Sequence, residues 1–395
     1  MSPLDAVRPP PACPEHEDRT ASATGATLDP RMLEHLRRDG ADEEAGLDGA
    51  VAELAEGGWL RAPLPASIGG AGLGTSASPV STALALDTLR ALGRVDLPLA
   101  RLYEGHVNAV KLIELYADAP LRALVRERVR AGTLMGVWGA PGRDPLRVEG
   151  CAPDGWTLAG SKAFASGLGT VGLAVVTVED PIETGASRLL LLDVDDPSRQ
   201  HPDEWHASGM RATRSGGYRF DGVCLSPERA LGAPGVYERE PWFEGGTWRY
   251  VAAQVGAMEG LLDDCVVELV ARSRADGPYQ AARIGRAAAL AVGARALVER
   301  TAHQVESADP DDAEATRRAV ALALLARERV EEDAVALLGL VERALGVAAF
   351  ACGHPIERRR RDLGLYLRQA APDAKLARAA AAVVLDARHG VGGLW

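Results

Sequence analysis

The chain has 395 residues and a formal net charge of −11, long enough for two or three substructures around a continuous interior and acidic enough to repel a nucleic-acid backbone. Its five cysteines are odd in number, scattered and without C-x-x-C spacing, which excludes a disulfide framework and a zinc site and points to a reducing, cytoplasmic compartment. No run of about 18 apolar residues occurs, and the N-terminus lacks the basic start and apolar stretch of a signal peptide, so a soluble protein without a membrane partner is expected.

Residues 1–27 are rich in Pro, Ala, Thr and charge and read as a disordered leader. Over 28–132, apolar residues fall at helical spacing in "MLEHLRR", "LDGAVAELAEGG" and "STALALDTLRALGR", predicting an N-terminal helical domain. Short β-type runs follow over 133–240, among them "TLMGVWG", "GLAVVTV" and "SRLLLLDV", separated by turn formers and predicting an antiparallel β-domain. From 241 to 395, long Ala- and Leu-rich amphipathic segments predict a C-terminal four-helix bundle. The expected class is therefore α+β, mainly α, in the order helix, β, helix.

Five local motifs appear in this order. They are "GGWLRAPLPASIGGAGLG" from Gly57, "GSKAFASG" from Gly160, "SGMRATRSGGYRFDGVCLSPERALG" from Ser208, "RSRADGPYQ" from Arg272 and "ERALGVAAFACGHPIERRRRD" from Glu342. Together they resemble the acyl-CoA dehydrogenase superfamily of flavoproteins over nearly all of the chain after the leader. Details such as "DGPYQAARIGRAAALAVGARALV" lean toward the branch that contains desulfurisation-type flavin monooxygenases. The resemblance implies FAD, with FMN as the alternative, lying between the β-domain and the bundle. It puts Phe164 and Ser166 against the flavin ring, where a serine hydroxyl can donate to a ring nitrogen and an aromatic side chain can cover a face, and counts Trp138 among the cofactor-binding residues. It makes Arg272, Arg274 and Gln280 candidates for the flavin pyrophosphate across a subunit boundary, in a homodimer or homotetramer, and adds Arg343 and Gly346 to the expected cofactor-binding residues. The four arginines of "PIERRRRD" fall where Glu357, Arg358, Arg361 and Asp362 would form loop-fixing ion pairs, leaving Arg359 and Arg360 to solvent or to the phosphates of a CoA ester.

α,β-Oxidation of an acyl thioester needs a carboxylate base over the substrate. The usual position of that glutamate in the resembled family is Ala370 here. The alternative position, at the start of the first long helix of the last domain, is Gly246 or Trp248. Three readings follow: an acyl-CoA dehydrogenase with a displaced base, Glu244 or Asp373; a flavin monooxygenase of the same fold, with His106 as a candidate and a second histidine position falling near Gln369; or a member that has lost its chemistry. No G-x-G-x-x-G between strand and helix and no P-loop is present, so a Rossmann-type nucleotide site is not expected. "GHP" and "ARHG" have no histidine partner at i+4, so no metal is expected. Glu331, Glu332 and Asp333 read as a solvated helix face.

Overall fold

The computed structural model describes residues 27–39, 43, 46–152, 155–183, 185–368 and 371–388. The leader up to residue 26, Gln369 and Ala370 lie outside them.

Among the described residues five helices come first: α1 (Pro30–Asp39), α2 (Asp48–Glu56), α3 (Pro79–Val95), α4 (Leu97–Tyr116) and α5 (Ala119–Arg130). The last three share one start signal, an acceptor side chain followed by proline in the first turn. Ser78 caps α3 at the Ser81 N–H, Asp96 caps α4 at Leu99 and Asp118 caps α5 at Leu121, over 3.1, 2.8 and 2.9 Å.

Ten strands follow among the described residues: β1 (Leu134–Trp138), β2 (Arg147–Ala152), β3 (Gly155–Ala159), β4 (Ser161–Lys162), β5 (Val171–Glu179), β6 (Ser187–Asp193), β7 (Gln200–His201), β8 (Gly217–Arg219), β9 (Val223–Leu225) and β10 (Ala230–Leu231). They form three small sheets, ordered β1-β5-β6-β10, β2-β3-β9 and β4-β8-β7. The pairings are antiparallel as expected except β1 with β5, which is parallel, Val137 lying opposite Val175. That pair is buried by helices: α4 packs against β1, and β5 is apolar on both faces from Leu173 to Val176, the pattern of a covered parallel pair.

The chain closes with α6 (Trp248–Ala271), α7 (Pro278–Glu306), α8 (Ala313–Leu345), α9 (Pro355–Tyr366) and α10 (Pro372–Arg388). α8 touches α6, α7 and α10, making the expected bundle. α3 lies along α6, and glycines set how close: a Cβ on Gly93 would overlap the Ala253 carbonyl oxygen, and one on Gly256 the Arg90 carbonyl oxygen. One apolar cluster consequently runs from α1 through the strands to α9. Among the described residues no helix is long and apolar enough to cross a membrane.

One reading of the α8 surface is corrected. Asp333 is buried and paired with Arg329 at 2.8 Å, and Glu331 is held by Arg327 and Arg368. Of the three acids only Glu332 is exposed.

Candidate active site

Trp138 ends β1, and the turn after β4 brings Phe164 and Ser166 to it: the indole N–H of Trp138 donates to the Ser166 carbonyl at 3.2 Å. The Phe164 ring is 62 % exposed and its φ is +52°, a conformation that costs a phenylalanine about 1–2 kcal/mol. Trp205 meets this ring edge-on, with centroids 6.0 Å apart, and its buried indole N–H has no hydrogen-bond partner. Behind Ser166 lies a run of hydroxyls: Ser215 donates to the Ser166 oxygen at 3.0 Å and is 2.8 Å from the Thr213 hydroxyl. Met210 and Arg214, either side of Thr213, also have positive φ, so three of the five such non-glycine residues described border this cluster. The exposed aromatic face, the orphaned indole donor and the hydroxyl pair fit a planar heteroaromatic ring with oxygen and nitrogen acceptors. The structure thus joins Trp138, Phe164 and Ser166. Sequence reasoning did not single out Trp205, whose only signal is an indole in a polar loop, or Thr213 and Ser215, which lie inside the motif from Ser208.

One residue along from Trp138, Val137 lines a cavity of about 350 Å3 whose wall also includes Ala371 and the start of α6. Glu306 is buried beside it and accepts from Lys111 and Arg249, both at 2.5 Å, and from the Trp248 indole at 3.1 Å. Burial works against the Glu306 carboxylate, and Lys111 and Arg249 overcome it, holding its pKa below the ordinary value. Burial, with the nearby Arg249, brings Lys111 down to about 8 against the attraction of Glu306. Two carboxylates line the cavity. Glu104 is held by Arg101 at 2.9 Å and by the Asn108 amide, and Glu244 by Arg378.

Of the expected catalytic residues, Glu244 therefore faces the cavity as half of an ion pair. Asp373 is exposed in the first turn of α10, where a carboxylate stabilises the helix N-terminus. His106 is corrected from a candidate catalyst to an internal strut. It is fully buried, its Nε2–H donates to the Leu60 carbonyl at 2.8 Å, and its Nδ1 accepts from the Met135 N–H at 3.0 Å. Burial lowers its pKa to about 4, so the ring is neutral and both nitrogens are spent.

Arg272, Arg274, Gln280, Arg343 and Gly346 gather in a second group, at the α6–α7 turn and the end of α8. Arg272 pairs with Glu268 at 2.6 Å, and Glu268 with His354 at 2.9 Å. The Gln280 amide donates to the Ala344 carbonyl and accepts from Arg283, both at 2.9 Å. Gly346, with φ +67°, ends α8.

The arginine run is a set of ion pairs, as the resemblance implies. Arg358 holds Asp96 at 2.8 Å and Asp362 at 3.3 Å, and Arg361 holds Glu357 and Glu43, each at 2.5 Å. Burial raises Asp362 to about 6 although Arg358 and the Met210 N–H oppose it. The reading of Arg359 and Arg360 as solvated is corrected: Arg359 pairs with Asp264 at 2.7 Å and caps the Arg94 and Val95 carbonyls, and Arg360 lies 4.2 Å over the Phe350 ring.

No family model matches the sequence. A dibenzothiophene monooxygenase of Mycolicibacterium goodii is 26% identical over 191 residues, 46% of this chain and 44% of that protein, so the match spans less than half of the relative. Among solved structures, FMN-bound TdsC of Paenibacillus sp. A11-2 aligns with a TM-score of 0.78 and 19% identity, covering 92% of this chain and 97% of that one. Methanesulfinate monooxygenase MsuC of Pseudomonas fluorescens aligns with a TM-score of 0.77 and 18% identity over 91% of this chain and 97% of its own. The chain has the fold of these proteins, which is the acyl-CoA dehydrogenase fold.

Proposed function

We propose that the chain is a flavin-dependent monooxygenase, binding FMN in preference to FAD, and that it oxygenates a small organic substrate. The observation that carries this reading is the state of the cavity carboxylates. Glu104 and Glu244 are each bound by an arginine, so neither is free to take a proton from carbon as a thioester dehydrogenation requires. The monooxygenase relatives support the same choice, and we set aside the dehydrogenase reading.

Reduced flavin, when bound, supplies the activation of dioxygen. Phe164 and Trp205 would cover and edge the ring, Trp205 offering its unpartnered N–H. Ser166 would hold a ring nitrogen by its hydroxyl, whose oxygen accepts from Ser215 at 3.0 Å and whose proton would turn to the ring from the Phe164 carbonyl, a long 3.4 Å away. The aromatic side chains of the neighbouring cavity would shield the substrate side from water.

Exposed apolar side chains on the last helices, Val267 and Val270 on α6, Tyr279 and Val292 on α7, support a homodimer or homotetramer, which light scattering measures directly.

The test is to supply chemically reduced FMN or FAD to the purified chain with candidate substrates under labelled dioxygen. Incorporation of one labelled oxygen atom into product, with FMN preferred, is the expected result. Bleaching of oxidised, bound FAD by acyl-CoA esters without oxygen would restore the dehydrogenase. Failure to bind either flavin would mark a member without flavin chemistry.

A further inference from the structure

The cavity beside β1 contains an unbalanced polar end. Thr247 and Arg249, 6 and 2 % exposed, both line it, and the Thr247 hydroxyl and the Arg249 Nε are buried without a hydrogen-bond partner. Lys111, also on its wall, shares the single carboxylate of Glu306 with Arg249. Two cations and one carboxylate leave one positive charge in excess, out of reach of bulk water. The carboxylates that line the same space do not cancel it, because Arg101 and Arg378 already neutralise Glu104 and Glu244. A buried donor left unsatisfied costs about 1–3 kcal/mol, and a charged one more, so this end is built for an acceptor that carries negative charge.

The remainder of the wall is mainly apolar, aromatic side chains together with Leu112, Leu115 and Val137, and carries Asn108 and Lys375 as further polar groups. Tyr237 and Phe243 meet edge to face with centroids 5.0 Å apart, and Trp242, Tyr116 and Tyr250 complete the aromatic part. Such walls select flat rings, and about 350 Å3 is room for one or two fused rings rather than for a long acyl chain.

We propose that this cavity binds a planar aromatic anion, its ring between Tyr237, Trp242 and Phe243 and its anionic oxygen toward Thr247, Arg249 and Lys111. The substrate class of the monooxygenase is then an aromatic carboxylate or phenolate, not a neutral aromatic and not an acyl thioester. The class of the substrate rests on the monooxygenase reading; the binding of the anion does not.

Equilibrium binding to the full chain, with and without FMN, separates the two. The probes are benzoate and 2,4-dinitrophenolate, both anions at pH 7, against neutral benzamide and indole and the non-aromatic anion acetate. Binding is followed by calorimetry and by quenching of tryptophan fluorescence, since Trp242 lines the cavity. We expect at least one aromatic anion to bind ten-fold or more tighter than benzamide and acetate, and which of the two wins tells carboxylate from phenolate. Lys111→Met should weaken the anion ten-fold or more, and Thr247→Val several-fold with little effect on the fold, while both leave benzamide and FMN affinities unchanged. Benzamide or acetate binding as tightly as both anions would overturn the proposal, as would Thr247→Val with unchanged anion affinity. Anion binding in a chain that takes no FMN would sink the monooxygenase reading and leave the site standing.

Discussion

Arg378, on the last helix, closes on the carboxylate of Glu244, 134 residues earlier in the chain and just ahead of α6. The pair is lopsided: the Arg378 side chain is 61 % exposed and that of Glu244 only 6 %. Removing the acid leaves an arginine that water can solvate, whereas removing the arginine strands a buried carboxylate. Glu244→Gln should cost about 1 kcal/mol and Arg378→Ala about 3 kcal/mol, read from urea unfolding. Turnover with FMN should survive Glu244→Gln; its loss in a folded, FMN-binding variant would return Glu244 to the role of a base.

His106 makes the fold sensitive to acid. In the unfolded chain its imidazole takes a proton below about 6.5, whereas in the folded chain burial delays this to about 4. Between those values the unfolded state binds more protons, so stability falls as pH drops through the window, by about 3 kcal/mol in all from this group. A pH series of unfolding midpoints should show that acid limb, flattened in His106→Gln. An identical limb in the variant would assign the loss to other groups.

Phe164 separates binding from stability. Its ring is largely exposed, so Phe164→Ala should change unfolding stability by no more than about 0.5 kcal/mol. FMN affinity should fall by about ten-fold, as expected when an aromatic face is lost. Equal affinity in a flavin titration would remove Phe164 from the site.

Asp96 does two jobs with two oxygens: Oδ1 caps α4 at the Leu99 N–H and Oδ2 takes Arg358, each at 2.8 Å. Asp96→Asn keeps the cap and loses the charge, while Asp96→Ala loses both. The alanine variant should be less stable than the asparagine variant by about 1 kcal/mol. Equal losses would mean that the cap contributes nothing here.

The order of elements was legible because the periods of helix and strand differ, and Phe164 and Ser166 drew attention because both sit in the motif from Gly160 that carries the resemblance. What stayed hidden was non-local. Nothing around Lys111 announces a partner 195 residues away in Glu306, and the parallel alignment of β1 with β5 depends on a crossover rather than on either strand's composition. His106 misled for the same reason, since its burial is imposed by the Leu60 and Met135 segments. Arg359 and Asp333 looked solvated because charge in a run shows no sign of which members find a buried counter-charge.

The glycine-lined contact of α3 with α6 has a kinetic corollary. With the two backbones in direct touch at Gly93 and Gly256, the halves of the molecule have no lubricating layer of side chains over which to slide, and a hinge between them would have to break the seam. Opening of the cavity then falls to the short segment of its wall that precedes α6, Trp242, Phe243, Glu244 and Gly246. Entry and exit should follow the nanosecond-to-microsecond breathing of loops, not the microsecond-to-millisecond swing of domains.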